Sequence, residues 1–105
     1  MPAEYATLEE MPGLVLKGEL SIYTAAELKP VLFMLLQEAH EHLHLDLQGV
    51  DDIDGAGVQL LLLFRRELLQ AGIELSIQAS PMVAETLQLL HLQQHFILAP
   101  TRTSP

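Results

Sequence analysis

Residues 51–57, Asp-Asp-Ile-Asp-Gly-Ala-Gly, gather three carboxylates and two glycines into one short segment. Glycines in such a turn let the backbone approach a phosphate closely. A phosphate here would meet Asp51, Asp52 and Asp54 at close range, and the segment has neither the lysine nor the further glycines of a nucleotide loop. Nucleotide binding is therefore set aside. Asp54 stands directly before the apolar-rich run "GAGVQLLLLFRREL". There an aspartate accepts free helix N–H groups and meets the positive end of the helix dipole.

Other candidate chemistry is weaker. His40, His42 and His44 alternate, and His91 and His95 stand four apart. Either spacing can ligate a metal, on a strand or on a helix. The triplet straddles an expected helix–strand junction, so its rings are not expected to converge. His91 and His95 fall where the last helix should end. Solvated surface histidines, with no metal and no cofactor, are the expectation. Acid pairs occur at Glu9-Glu10 and Asp51-Asp52, and nothing selects one for acid–base work. No serine or cysteine sits in a recognisable nucleophile turn. The chain is not expected to be an enzyme.

The elements that must position the 51–57 segment follow from periodicity. "EYATLEE" (4–10) reads as a weak first strand, and "GLVLKGEL" (13–20) as a second, entered through Met11-Pro12-Gly13. Thr24 to Glu27 matches a capping box, which predicts a helix from there to about His42, bent or restarted at Pro30. "LHLDLQ" (43–48) alternates as a strand and is expected to end at Gly49 and the acids. A helix over about 55–71 should stop at Gly72. "IELSIQA" (73–79) is the next strand. Ser80-Pro81 caps a helix to about Leu90, and "HLQQHFILA" offers a short closing strand. The expected class is α/β, a single domain over 1–98 with a mixed central sheet of four to five strands and three to four helices, followed by a flexible tail at 99–105.

Size and charge bound the partners. The chain has 105 residues, half of them apolar, enough for one core. Cysteine is absent, which removes disulfide and thiolate chemistry. Fourteen acids against five bases give a net charge of −9. That field repels nucleic acid and anionic membrane surfaces. The first residues lack the basic and apolar regions of a signal peptide, and apolar runs such as Leu60–Phe64 are far short of a membrane span. A cytoplasmic location is expected.

The stretch "LDLQGVDDIDGAGVQLLLLFRRELLQAGIELSIQAS" resembles the core of the STAS domain family of anti-sigma-factor antagonists. That family's pattern is a strand, an Asp-Ser-Ser/Thr-Gly-Leu turn, a helix, a glycine and a further strand. "GELSIYTAAEL" upstream is similar to the family's segment before its first helix, with Ser21 where Asp is common. The resemblance covers about residues 13–92 and implies a STAS-like sandwich. In the antagonists one hydroxyl of the turn is phosphorylated by a partner kinase. Here Asp54 and Gly57 fit, but Gly55 and Ala56 replace both hydroxyl residues, so the resemblance implies no phosphoacceptor at Ala56. The Ala-Gly pair is also similar to STAS subunits of lipid-transport ABC complexes and to STAS proteins of chemotaxis signalling.

On a helical projection of about 100° per residue, Val58, Leu60, Leu61, Leu62, Phe64, Leu68 and Leu69 form a broad apolar arc. Arg65 falls inside that arc, where it should snorkel at the rim. Ala56, Gln59, Leu63 and Arg66 share the other side, where Leu63 is an apolar residue among polar neighbours. The expected partner-binding set is therefore Asp54, Gly55, Ala56, Gly57, Gln59, Leu63 and Arg66. The resemblance implies a protein partner: an anti-sigma factor, a histidine kinase or, alternatively, an ABC ATPase. The apolar content permits a homodimer without requiring one.

Overall fold

The computed structural model describes residues 4–7, 13–38 and 41–98. Its elements are β1 (Glu4–Thr7), β2 (Gly13–Leu20), α1 (Ile22–Glu38), β3 (His42–Ile53), α2 (Gly55–Gln70), β4 (Glu74–Ala79), α3 (Pro81–Leu89), a 3₁₀ turn (Gln93–His95) and β5 (Ile97–Leu98). Strands β2, β3 and β4 form a parallel core, which α1 and α2 cross over to connect. β1 pairs antiparallel with β2, and β5 pairs parallel with β4, so the sheet runs β1-β2-β3-β4-β5. The expected tail at 99–105 lies outside the described residues, as do residues 8–12 and His40.

The core follows from strand alternation. Leu43, Leu45 and Leu47 of β3 lie in register with Leu75, Ile77 and Ala79 of β4, and Leu14 of β2 lies beside Leu45. They are buried together with Leu28 and Leu32 of α1 and Leu61, Phe64 and Leu68 of α2. Each large side chain so buried contributes about 2 kcal/mol. Phe33 meets Phe64 edge to face, with ring centroids 6.5 Å apart. α3 packs chiefly on β3 and also on β4. Leu69, expected on the buried arc, is instead 57% exposed on the last turn of α2.

Three boundaries differ from expectation. β3 does not stop at Gly49: it continues to Ile53, because the second half of β2 pairs with it. Register shifts between Val15 and Lys17 and between Gly18 and Glu19 accommodate the extra β3 residues, and Gly18 takes φ 91° at the second. The helix α1 starts earlier, at Ile22, and ends at Glu38 rather than His42. Ser21, not Thr24, caps it. The Ser21 carbonyl accepts from Thr24 N and Ala25 N, and the Ser21 Oγ accepts from Tyr23 N at 3.2 Å. Thr24 Oγ1 reaches back to accept from Ser21 N at 3.0 Å, the role a capping box gives to its third helical residue. Pro30 lies within a continuous helix, on its exposed side.

The other ends are as read from the local signals. Ser80 Oγ accepts from Val83 N at 3.2 Å and starts α3. At the end of α2, Gly72 takes φ 74°, Gly72 N donates to Leu69 O and Ile73 N to Leu68 O, which together make a Schellman cap. No helix among the described residues is long and apolar enough to cross a membrane.

Candidate functional site

β2 and β3 end side by side, with Leu20 paired to Ile53, and both chains turn there into helices. Sites in open parallel sheets form at such carboxyl ends. The two turns are tied by one side chain. Asp54 Oδ1 accepts from Gly57 N at 3.0 Å, inside the first turn of α2. Asp54 Oδ2 accepts from Ile22 N at 3.0 Å, the first residue of α1. The Asp54 amide in turn donates to Leu20 O at 3.2 Å. One carboxylate therefore caps both helices. The N–H groups of Ile22 first, and then of Gly57, hold its carboxyl below the ordinary value of 3.8.

Gly57 is buried beneath this arrangement. A Cβ there would lie 2.1 Å from Leu20 O, so only glycine lets α2 start against the end of β2. Gly57 thus shapes the turn through packing, whereas Gly55 is exposed and open around its Cα. Ala56 is half-buried. It lines a shallow groove of about 260 Å³ with Gln59 and Leu63 on one side and Ala25, Ala26 and Lys29 of α1 on the other. Arg66 is exposed and does not line this groove. Of the expected set, then, Ala56, Gln59 and Leu63 come together, Asp54 and Gly57 build the turn, and Gly55 and Arg66 lie on the surface.

Two neighbours were missed. Ile22 and Tyr23, on the first turn of α1, are 65% and 86% exposed. The Asp54–Ile22 hydrogen bond sets them beside the turn. Placing the α1 cap at Ser21 would have found them, since the sequence puts two large apolar residues directly after it. Around them stand the exposed Asp51 and Asp52, with Glu19 in register with Asp52. The nearby serine and threonine hydroxyls are occupied: Ser21 donates to a Glu19 carboxylate oxygen, and Thr24 donates to Glu19 O at 2.8 Å. Both residues are buried. Exposed apolar and acidic side chains thus share this end of the sheet.

The histidines are arranged otherwise than expected. His42 and His44 both lie on β3, on the same face, and their rings converge on Ser76 Oγ at 3.0 and 2.6 Å. Strand alternation brings them together once the junction is moved before His42. His91 ends α3 and His95 belongs to the 3₁₀ turn, so they do not share a helix face. Arg65 Nε donates to His95 O, which holds its side chain at the rim of α2. No cluster of three or more metal-ligating side chains occurs among the described residues.

Comparison with known proteins bears on the whole arrangement. The fold matches an anti-sigma factor antagonist from Mycobacterium paratuberculosis at 20% identity, TM-score 0.77, covering 94% of this chain and 86% of that one. It matches the Bacillus cell fate determinant SpoIIAA in its phosphorylated form at 19% identity, TM-score 0.67, covering 93% and 91%. A sulfate transporter family protein from Wolinella succinogenes matches at 19% identity, TM-score 0.68, covering 89% and 80%. No functionally curated protein matches the sequence. The model of the STAS domain family matches residues 5–104, nearly the full length, and the chain belongs to that family.

Proposed function

We propose that the chain is a regulatory, non-enzymatic protein-interaction module that docks a signalling partner at the ends of β2 and β3. The contact surface is the 51–57 turn, the Ala56–Gln59–Leu63 side of α2 and the exposed start of α1. The partner is an anti-sigma kinase or a chemotaxis kinase. The observation that carries this reading is the Asp54 carboxylate, which fixes the exposed Ile22 and Tyr23 against a turn whose central residue is Ala56. The turn resembles the one that antagonists use, and SpoIIAA has been solved in a phosphorylated form. Without a hydroxyl at residues 55–57, binding is constitutive or is controlled on the partner.

The test is affinity capture from the native cell, identification of the partner, and titration of the purified pair. Tyr23→Ala, Leu63→Asp and Ala56→Asp should each weaken the complex at least about tenfold, which is 1.4 kcal/mol, while far-UV circular dichroism stays native. ATP and the partner kinase should leave the complex intact. Unaltered affinity in all three variants would place the interface elsewhere.

The same surface serves a second reading, as an accessory subunit of a lipid-transport ABC complex. The Ala56-Gly57 pair, which resembles the turn of such subunits, supports it. Co-purification of an ATPase and a permease, rather than a kinase, would select it.

A further inference from the structure

A chain of polar side chains crosses from the rim of the sheet into its interior, on the face opposite Leu43, Leu45 and Leu47. Glu74 Oε1 lies 3.5 Å from His42 Nδ1, and His42 Nε2 lies 3.0 Å from Ser76 Oγ. Ser76 Oγ is 2.6 Å from His44 Nδ1, and His44 Nε2 is 3.1 Å from Gln78 Oε1. The outer members are open to solvent, the side chains of Glu74 and His42 being 62% and 37% exposed. The inner members, Ser76, His44 and Gln78, are 7–9% exposed.

Hydrogen counting fixes the direction of these bonds. A serine hydroxyl has one hydrogen, and a neutral imidazole has one N–H. Gln78 presents an oxygen, so His44 Nε2 must donate to it. His44 Nδ1 is then bare and accepts the Ser76 hydrogen. Ser76 Oγ must in turn accept from His42 Nε2–H. A hydrogen is then needed on His42 Nδ1 as well, to meet the Glu74 carboxylate, and only the imidazolium carries both. Removing the Nδ1 hydrogen sets two acceptors face to face and releases Glu74. Removing the Nε2 hydrogen reverses Ser76, moves the His44 hydrogen to Nδ1 and obliges the Gln78 amide to turn.

We propose that this ladder is a proton-sensing element, in which proton uptake at His42 closes the Glu74 contact and sets the hydrogen-bond direction as far as buried Gln78. Histidine is the side chain whose charge changes near neutral pH, which suits it to the outer position. The charged groups on its own strands are Glu74, Asp46, which accepts from Gln48 N, and Asp51 and Asp52 at the far end of β3, and exposed Glu41 directly precedes His42. β2 sets uncharged Gly13 beside His44 and Val15 beside Asp46, while Lys17 is exposed further along. α3 buries Val83 and Leu87 and keeps its one charged residue, Glu85, exposed. β5 sets Ile97 in register with Ser76. Arg65 of α2 and His95 of the 3₁₀ turn line a pocket together with Glu74, while Arg66 and Glu67 belong to α2, which packs with the leucine face.

The test is nitrogen-15 spectroscopy of the histidine rings on the intact chain, from about pH 5 to 9. At the low end the His44 ring should show Nε2–H and a bare Nδ1. With rising pH its ring shifts should change at the midpoint of His42. In His42→Asn that step at His44 should vanish. In Ser76→Ala, His42 should still titrate while His44 no longer follows. Ring shifts of His44 that stay constant through the His42 midpoint in the unaltered protein would overturn the proposal, whatever the variants do. A His44 step that persists in folded His42→Asn would overturn it equally.

Discussion

A Cβ on Gly57 would meet Leu20 O at 2.1 Å and the carbonyl carbon of Leu20 at 2.8 Å. Both are backbone atoms, so neither can swing aside. Gly57→Ala must push the start of α2 off β2, at a cost of about 1–3 kcal/mol. Gly55, two residues earlier, has open space where a Cβ would go. Gly55→Ala removes unfolded-chain freedom without a clash and should be neutral or stabilising by up to about 1 kcal/mol. Urea denaturation of the two variants separates the roles of two glycines that look alike in the sequence. Asp54 between them makes a pH prediction. Its carboxyl is held below 3.8 by the Ile22 and Gly57 amides, so its contribution is present above that pH and lost as the pH falls through the lower folded value. Asp54→Asn, which can offer only one acceptor oxygen, should be less stable near neutral pH. The thermal-midpoint gap to the unaltered chain should hold steady there and shrink below about pH 4.

The helix ends show how far local signals reach. α2 stops on Gly72 with a full Schellman cap, and α3 ends in the same way with a different residue. His91 N donates to Gln88 O and Leu92 N to Leu87 O, which places His91 in the left-handed region at φ 57°. A non-glycine residue there costs about 1–2 kcal/mol. His91 is exposed, so His91→Gly loses no packing and should raise stability by about 1 kcal/mol in urea denaturation. The order β3-α2-β4-α3 was legible because its signals are local: alternating leucines, Ser80-Pro81 and Gly72. The start of α1 was less so, because Ser21 and Thr24 are both good caps by type. The choice is made by Asp54, which reaches Ile22 from 32 residues away. The second half of β3 was hidden because bulges erase its alternation. The histidine ladder was hidden because Ser76 meets His42 from 34 residues away. Within the expected docking set, periodicity placed Ala56, Gln59 and Leu63 on one side of a helix, but it had no means of supplying Ile22 and Tyr23 from another element.

Fourteen acids in 105 residues leave the whole molecule under self-repulsion at net charge −9. Part of that charge is placed where it costs stability. Glu19, whose carboxylate accepts from the Ser21 hydroxyl, lies in register with Asp52 on the neighbouring parallel strand, a like-charge pair that opposes pairing. Asp52 is exposed, so water and salt screen it. Sodium chloride at a high concentration should therefore raise the urea midpoint. Asp52→Asn should raise it at low salt and reduce the further gain from salt. On the proposed docking reading, an acidic rim beside exposed Ile22 and Tyr23 would attract a partner with a basic face and an apolar centre. Asp52→Asn should then be the more stable protein and the slower binder, with its association rate less sensitive to salt than that of the unaltered chain. Stopped-flow association with the captured partner at two ionic strengths reads both effects. An unchanged rate, together with the stability gain, would reduce Asp52 to a solubility charge and remove it from the docking surface.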